Sequence, residues 1–229
     1  MIKMRLAALY SGGKDSTYAL HLASLAGHEV AHLVTIVPRQ SDSWMFHTVN
    51  LHLAPLLSEA LGIPLIQATS SGVKETETED LRKALEGLAV DGLVSGAIAS
   101  NYQKLRVERV CRELGISSLT PLWGRPPAEL LREMIESGMG IIITSVSAWG
   151  LDKKWLGKSL DLQALEELVS LSQRFGFNVC GEGGEMETLV LDAPFYKKRL
   201  EVTSSRTDWK NDAGVFHVEA RLVPKIIDP

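Results

Sequence analysis

From residue 6 to residue 121 the chain repeats one pattern: a short apolar run, a turn, then a stretch whose apolar residues recur at helical spacing. Such alternation is the signature of a parallel sheet covered by helices on both faces, because parallel strands need a crossover and the crossover is usually a helix. The runs predict strands at 6–9, 30–37, 64–68, 92–96 and 118–121, with helices at 15–26, 49–61, 77–89 and 104–114. Gly27, Gly62 and Gly115 stand where these helices end, as left-handed caps do. An open sheet of this kind binds its ligand beyond the carboxyl ends of the strands, where strand order reverses. The loops after the first, second and fourth strands are therefore expected to converge on one ligand.

The first of those loops is the most informative. Ser11-Gly12-Gly13-Lys14-Asp15-Ser16 follows the apolar run ending at Leu9 and precedes a helical stretch. Two glycines let the backbone approach an anion, and the helix start offers N–H donors and the positive end of its dipole. Ser11 and Ser16 add hydroxyl donors and Lys14 adds charge, while Asp15 suits Mg²⁺, which prefers carboxylate and phosphate oxygens. The bland alternative is a glycine turn with a serine cap. The spacing is neither that of the Gly-x4-Gly-Lys-Ser/Thr loop nor that of the Gly-x-Gly-x-x-Gly turn. It resembles the PP-loop of ATP pyrophosphatases, which cleave ATP between the α and β phosphates. Gly157-Lys158-Ser159 looks like the end of a Walker loop, but Asp152 stands where its first glycine is required.

The loop after the second strand joins aromatic and polar residues, among them Trp44, Phe46 and His47, so that Phe46 or Ile36 can sandwich adenine. The loop after the fourth runs from Ala97 through Tyr102 and Gln103, with Lys104 and Arg106 able to face phosphates or simply to form a solvated helix face.

Composition narrows the classes. With 229 residues, 45% of them hydrophobic, the chain can bury a full α/β core and still form a smaller second domain. The break at Pro121–Pro127 divides it into 1–124, for ATP, and 125–229, for substrate. Beyond it, helices are expected at 128–137 and 161–175, with strands at 140–146, 188–191, 199–205 and 215–223; the last three suggest an antiparallel or mixed α+β element. No apolar window approaches a membrane span and no leader pattern opens the chain, so a cytoplasmic protein without a membrane partner is expected. Its two cysteines, Cys111 and Cys180, form no C-x-x-C pair, which argues against a zinc cluster or disulfide scaffold. A net charge of −4 with interspersed signs argues against a stable nucleic-acid partner.

A second constellation lies at 181–188. Glu182, Glu185 and Glu187 are interleaved with Gly181, Gly183 and Gly184 and followed by Thr188. Like charges so close repel, and the run needs solvent, cations or a cationic ligand. An acidic turn alone is one reading. The other is that its glutamates hold Mg²⁺, bind a positive group, or accept a proton from an attacking amine.

Taken together, the motifs resemble those of the diphthine–ammonia ligase family in its short archaeal-type form. LYSGGKDS at 9–16, SWMFH at 43–47, GAIASNYQKLRVE at 96–108, PLW at 121–123, WLG at 155–157, GEGGEMET at 181–188 and DAPF at 192–195 occur in that family's order, and the likeness extends from about residue 6 to 199. Met186 departs from the aromatic residue frequent there. The resemblance implies a HUP-type, Rossmann-like five-stranded domain and a smaller C-terminal one. It implies the last step of diphthamide formation on elongation factor 2: ATP with Mg²⁺ activates a carboxylate as an acyl-adenylate, and ammonium supplies the amide nitrogen. Ser11, Gly12, Gly13, Lys14, Asp15 and Ser16 would hold phosphates and metal. Ile36, Phe46, His47 and Gly96 would complete the ATP site; Tyr102, Gln103, Arg106, Gly183, Gly184 and Thr188 would bind substrate. Asp15, Glu182, Glu185 and Glu187 would be catalytic, and a quaternary ammonium group would meet Trp44, Trp123 or Trp149. The rival classes are a PP-loop enzyme that modifies tRNA and a HUP-type adenine-nucleotide sensor without turnover. Homodimerisation is left open.

Overall fold

The computed structural model describes residues 2–38, 49–70 and 77–225. They fall into two compact units, the first formed by Met1–Ser11, Asp15–Ala54 and Ile63–Trp123, the second by Gly12–Lys14, Pro55–Gly62 and Gly124–Pro229.

In the first unit, strands β1 (Arg5–Leu9), β2 (Glu29–Pro38), β3 (Leu65–Ser70), β4 (Gly92–Val94) and β5 (Ser117–Leu119) form a parallel sheet in the order β3-β2-β1-β4-β5. It is an α/β, Rossmann-like core, as the alternating pattern predicts. Along β1 the side chains alternate between the faces, yet Leu6, Ala7 and Ala8 are all at most 1% exposed, so both faces of the sheet are covered. One face is filled by α3 (Glu77–Leu85) and α4 (Asn101–Leu114): Leu81, Leu85, Val107, Val110 and Cys111 cluster with Ala7, Val34, Ile36 and Leu93. Burial pushes the Cys111 thiol up to about 11, opposed by the neighbouring Ser118 hydroxyl and reinforced by the nearby Glu108.

Helix α1 (Lys14–Leu25) follows β1, and helix α2 (Ala54–Leu61) follows a short 3₁₀ turn at Leu51–Leu53. The expected helix at 49–61 is thus a 3₁₀ turn continued by α2, whose residues from Pro55 belong to the second unit. Gly27, Gly62 and Gly115 close α1, α2 and α4 with φ of 88°, 69° and 70°.

The second unit carries an antiparallel sheet in the order β7-β6-β9-β8, made of β6 (Gly140–Val146), β7 (Met186–Asp192), β8 (Lys198–Lys210) and β9 (Ala213–Pro224). Helices α5 (Pro127–Glu136) and α6 (Leu162–Phe175) pack on each other. Asp161 caps α6 by accepting the Ala164 N–H at 2.8 Å. Strands β8 and β9 form a long hairpin closed by a two-residue turn, with Asn211 at φ 53°. Strand β9 meets β6 only through Ser145 with Val215 and Val146 with Gly214.

Candidate functional site

Strand order reverses between β1 and β4, so the loops following those two strands face the crevice where such sheets take ligands. They touch. A Cβ placed on Gly96 would lie 2.6 Å from the Asp15 carbonyl carbon and 2.7 Å from the Ser16 nitrogen, distances no side chain tolerates. Gly96 therefore lets the loop after β4 lie against the first turn of α1.

Within the loop after β1, the Tyr10 N–H donates to Val34 O at 2.9 Å and Thr35 Oγ1 donates to Tyr10 O at 2.7 Å, which ties the loop entrance to β2. The Ser11 N–H donates to Ser16 Oγ at 3.3 Å, and the two hydroxyls lie 3.2 Å apart. The two serines thus bracket the tip. Gly12 adopts φ +80°, a conformation that favours glycine, and a Cβ on it would stand 2.5 Å from Leu57 Cδ1 and displace that side chain. Asp15 lies in the first turn of α1, half-buried.

The tip, Gly12–Lys14, belongs to the second unit. Gly12 O accepts the Val190 N–H at 2.9 Å, and the Lys14 N–H donates to Thr188 Oγ1 at 3.1 Å. Lys14 is 2% exposed, and its ammonium donates to the carbonyl of Cys180 at 2.5 Å. Expected as a phosphate ligand, this side chain is directed at the main chain of residue 180.

Residues 178–188 form a turn leading into β7, and the turn is organised by one of its own glutamates. Glu185 Oε1 accepts the Asn178 N–H at 3.0 Å, and Glu185 Oε2 accepts the Gly183 N–H at 2.7 Å. The Ser147 N–H and Oγ donate to the Glu185 and Gly184 carbonyls at 2.9 and 2.7 Å. Asn178 Oδ1 accepts the Cys180 N–H at 2.8 Å, and Gly181 and Gly184 take φ of 73° and 86°. Both carboxylate oxygens of Glu185 are engaged with backbone. Glu182 on the same turn and Glu187 in the first part of β7 are half-buried.

Tyr102, Gln103 and Arg106 lie on the first turns of α4, which is capped by Ser100 Oγ accepting the Gln103 N–H at 3.4 Å. The Arg106 guanidinium carbon stands 3.4 Å from the Tyr102 ring centre and its Nη1 donates to Tyr102 O at 3.3 Å. Lys104 pairs with Glu108 and lies 5.0 Å from the Trp123 ring centre, so its charge is engaged on its own helix. Ile36 is 2% exposed and part of the core described above. Phe46, His47 and Trp44 lie outside the described residues. Trp149 is 71% exposed, two residues beyond Ser147. In the rejected Walker-like segment, Lys158 pairs with Glu167 at 2.7 Å and covers the Trp155 ring.

Three residues of this neighbourhood escape a sequence reading. Ser95, 4% exposed beside Gly96, has a hydroxyl with no hydrogen-bond partner among the described residues, at the carboxyl end of β4. Asn178 and Ser147 brace the acidic turn. The only available signal for Ser95 was its place after the fourth apolar run; for Ser147 nothing local distinguishes it from any loop serine.

The nucleotide's fit rests on these features. Glycines at two points where a side chain would collide, serine hydroxyls bracketing the tip, and an unpaired buried hydroxyl at the switch point supply donors for an anion. For Mg²⁺, a single carboxylate such as Asp15 suffices where phosphate oxygens and water complete the shell. Among the described residues no group of three or more His, Cys, Asp or Glu could hold a metal ion, and no helix is long and apolar enough to cross a membrane.

The fold is that of a Rossmann-like α/β class. Residues 4–118 match the family model of the diphthamide synthase N-terminal domain and residues 126–223 that of its C-terminal domain. The chain is 42% identical over 225 residues to the diphthine–ammonia ligase of Homo sapiens, covering 88% of this chain and 84% of that protein. It is 40% identical to that of Danio rerio over 226 residues, covering 89% and 88%. The diphthine–ammonia ligase of Schizosaccharomyces pombe is 36% identical over an alignment of 243 positions that covers 97% of this chain and 40% of that longer protein. The chain belongs to the diphthine–ammonia ligase family.

Proposed function

We propose that this protein amidates diphthine on translation elongation factor 2, in the cytoplasm, using ATP and ammonia and releasing AMP and pyrophosphate. The observation that carries the reading is the loop at residues 11–16, at the switch point of the sheet and in contact with Gly96, in a chain that belongs to a family of ATP-dependent ligases. A carboxylate does not react with ammonia because it would have to expel oxide. One of its oxygens attacks the α-phosphorus, the bond to the β-phosphate oxygen breaks, and pyrophosphate leaves. The ammonia nitrogen then attacks the acyl carbon, AMP departs with the carboxylate oxygen, and the nitrogen gives up a proton.

The chain's own part is positioning and charge neutralisation, with no covalent nucleophile. Ser11, Gly12, Gly13 and Ser16 present hydroxyl and backbone donors to the phosphates, and Ser95 and Gly96 close the other side of the crevice. Asp15 would hold Mg²⁺, which neutralises phosphate charge when bound. Tyr102, Gln103 and Arg106 would receive the carboxylate side of the substrate. Glu182 and Glu187 would take the proton from the amine or face the substrate's positive group. Glu185, Gly183 and Gly184 would shape the turn that carries them, and Thr188 would anchor its end.

The test is an assay of purified protein with Mg²⁺-ATP, ammonium and diphthine-bearing elongation factor 2. AMP and amidated protein should appear in equal amounts, and both should vanish in Asp15→Ala. AMP release driven by tRNA would overturn the substrate assignment; ATP binding without turnover on any substrate would favour a nucleotide sensor.

A further inference from the structure

Lys14 occupies the one position of the 11–16 loop that carries a full positive charge, and its surroundings are those of a structural tie. It is 2% exposed, and its Nζ donates to the carbonyl of Cys180 at 2.5 Å. Its own N–H donates to Thr188 Oγ1 at 3.1 Å, and two residues earlier Gly12 O accepts the N–H of Val190 at 2.9 Å. Cys180 lies in the acidic turn and Thr188 in β7 just beyond it, so a single residue bonds to both segments. All of these groups belong to the second unit.

An ammonium moved out of water is costly unless it is engaged, and its hydrogen bonds are then stronger than neutral ones. Here the charge is directed at the main chain of a segment carrying Glu182, Glu185 and Glu187, whose mutual repulsion favours spreading of the turn. The internal bonds of Glu185 fix the shape of the turn and Ser147 holds its Gly184–Glu185 end beside the end of β6, while the Cys180 end is joined to the loop tip by the Lys14 ammonium.

We propose that Lys14 is a positioning residue for the acidic turn: its ammonium fastens the Cys180 end of the turn to the tip of the 11–16 loop and offsets the negative charge of the segment. It acts on amidation through Glu182 and Glu187, and ATP is held by its neighbours in the loop. The consequence for activity rests on the function proposed above; the structural role does not.

The test pairs hydrogen exchange with kinetics on the full chain. In Lys14→Met, a change of similar volume, the amides of residues 181–188 should exchange at least about tenfold faster, while those of α5 and α6 stay as they are. The Kd for Mg²⁺-ATP should remain within about threefold of the native value, and amidation should lose kcat by about 50-fold with KM for ATP unchanged. Unchanged exchange at 181–188 together with a tenfold or greater loss of ATP affinity would make Lys14 a phosphate ligand and overturn the proposal. Should Lys14→Met fail to fold, the native protein decides: fast exchange of residues 181–188 without nucleotide contradicts a fastened turn. If the native protein amidates nothing, the proposed reaction fails, and the exchange result still decides the role of Lys14.

Discussion

The loop at 11–16 and the turn at 178–188 are both glycine-rich and both carry charge, yet they are held by opposite means. The first is fixed by backbone and space: a strand end tied to β2, two hydroxyls across its base, and glycines where a Cβ would strike Leu57 or the start of α1. The second is fixed by side chains reaching to main chain, chiefly Glu185, Asn178, Ser147 and Lys14. A loop of the first kind fails when an atom is added. One of the second kind fails when an atom is removed.

The contrast can be broken most sharply at Asp15. In Asp15→Ala, AMP formation should drop by about 10³-fold or more, as loss of a metal-holding carboxylate would give, measured by AMP release with Mg²⁺-ATP. Gly96→Ala tests the space argument directly. Its Cβ must displace the first turn of α1, and overpacking of that sort costs about 1–3 kcal/mol, readable by denaturant unfolding together with weaker ATP binding.

Glu185→Gln tests the other mechanism. The amide keeps one acceptor and turns its NH₂ toward a backbone N–H, so the turn should loosen at a cost of about 1–2 kcal/mol. Amidation should fall with ATP affinity unchanged, and amide exchange at 181–185 should quicken. The smallest effect lies in the core beneath the first loop. Since burial holds the Cys111 thiol near 11 against an ordinary 9.0, the native state keeps its proton longer than the unfolded chain. That contribution to stability is complete below pH 9 and declines as pH rises from about 9 toward 11; in Cys111→Ala the decline over that window should be shallower.

The fold was legible because apolar periodicity is a local signal. The expected strand at 140–146 matches β6, and every other expected strand overlaps an observed one, with shifts of a few residues at the ends. The helix at 104–114 begins earlier, at Asn101, because Ser100 caps it. The extension of β8 to Lys210 was hidden, since residues 203–206 are polar and exposed and only Thr207 and Trp209 beyond them are half-buried. At the site, the glycines and Asp15 were readable from their spacing around a strand end. The roles of Lys14 and Glu185 were not: Lys14 reaches a carbonyl 166 residues away, and Glu185 differs from Glu182 and Glu187 only through bonds to backbone groups no motif displays. Ile36, read as a candidate wall for adenine, lies in the core because β2 is buried on both faces.

The polypeptide passes from one compact unit to the other five times, because Gly12–Lys14 and Pro55–Gly62 are members of the second. Pro55–Gly62 is joined there by the Lys197 N–H on Ala60 O and by the ion pair of Lys198 with Glu59. A gene cut near residue 124 would therefore yield a C-terminal fragment missing a helix and the anchor of its acidic turn. It would also yield an N-terminal fragment with that helix left bare. The second unit is completed only by chain from before the cut, whereas the first draws on nothing after it, so the C-terminal fragment should fail to fold unless the N-terminal one is supplied.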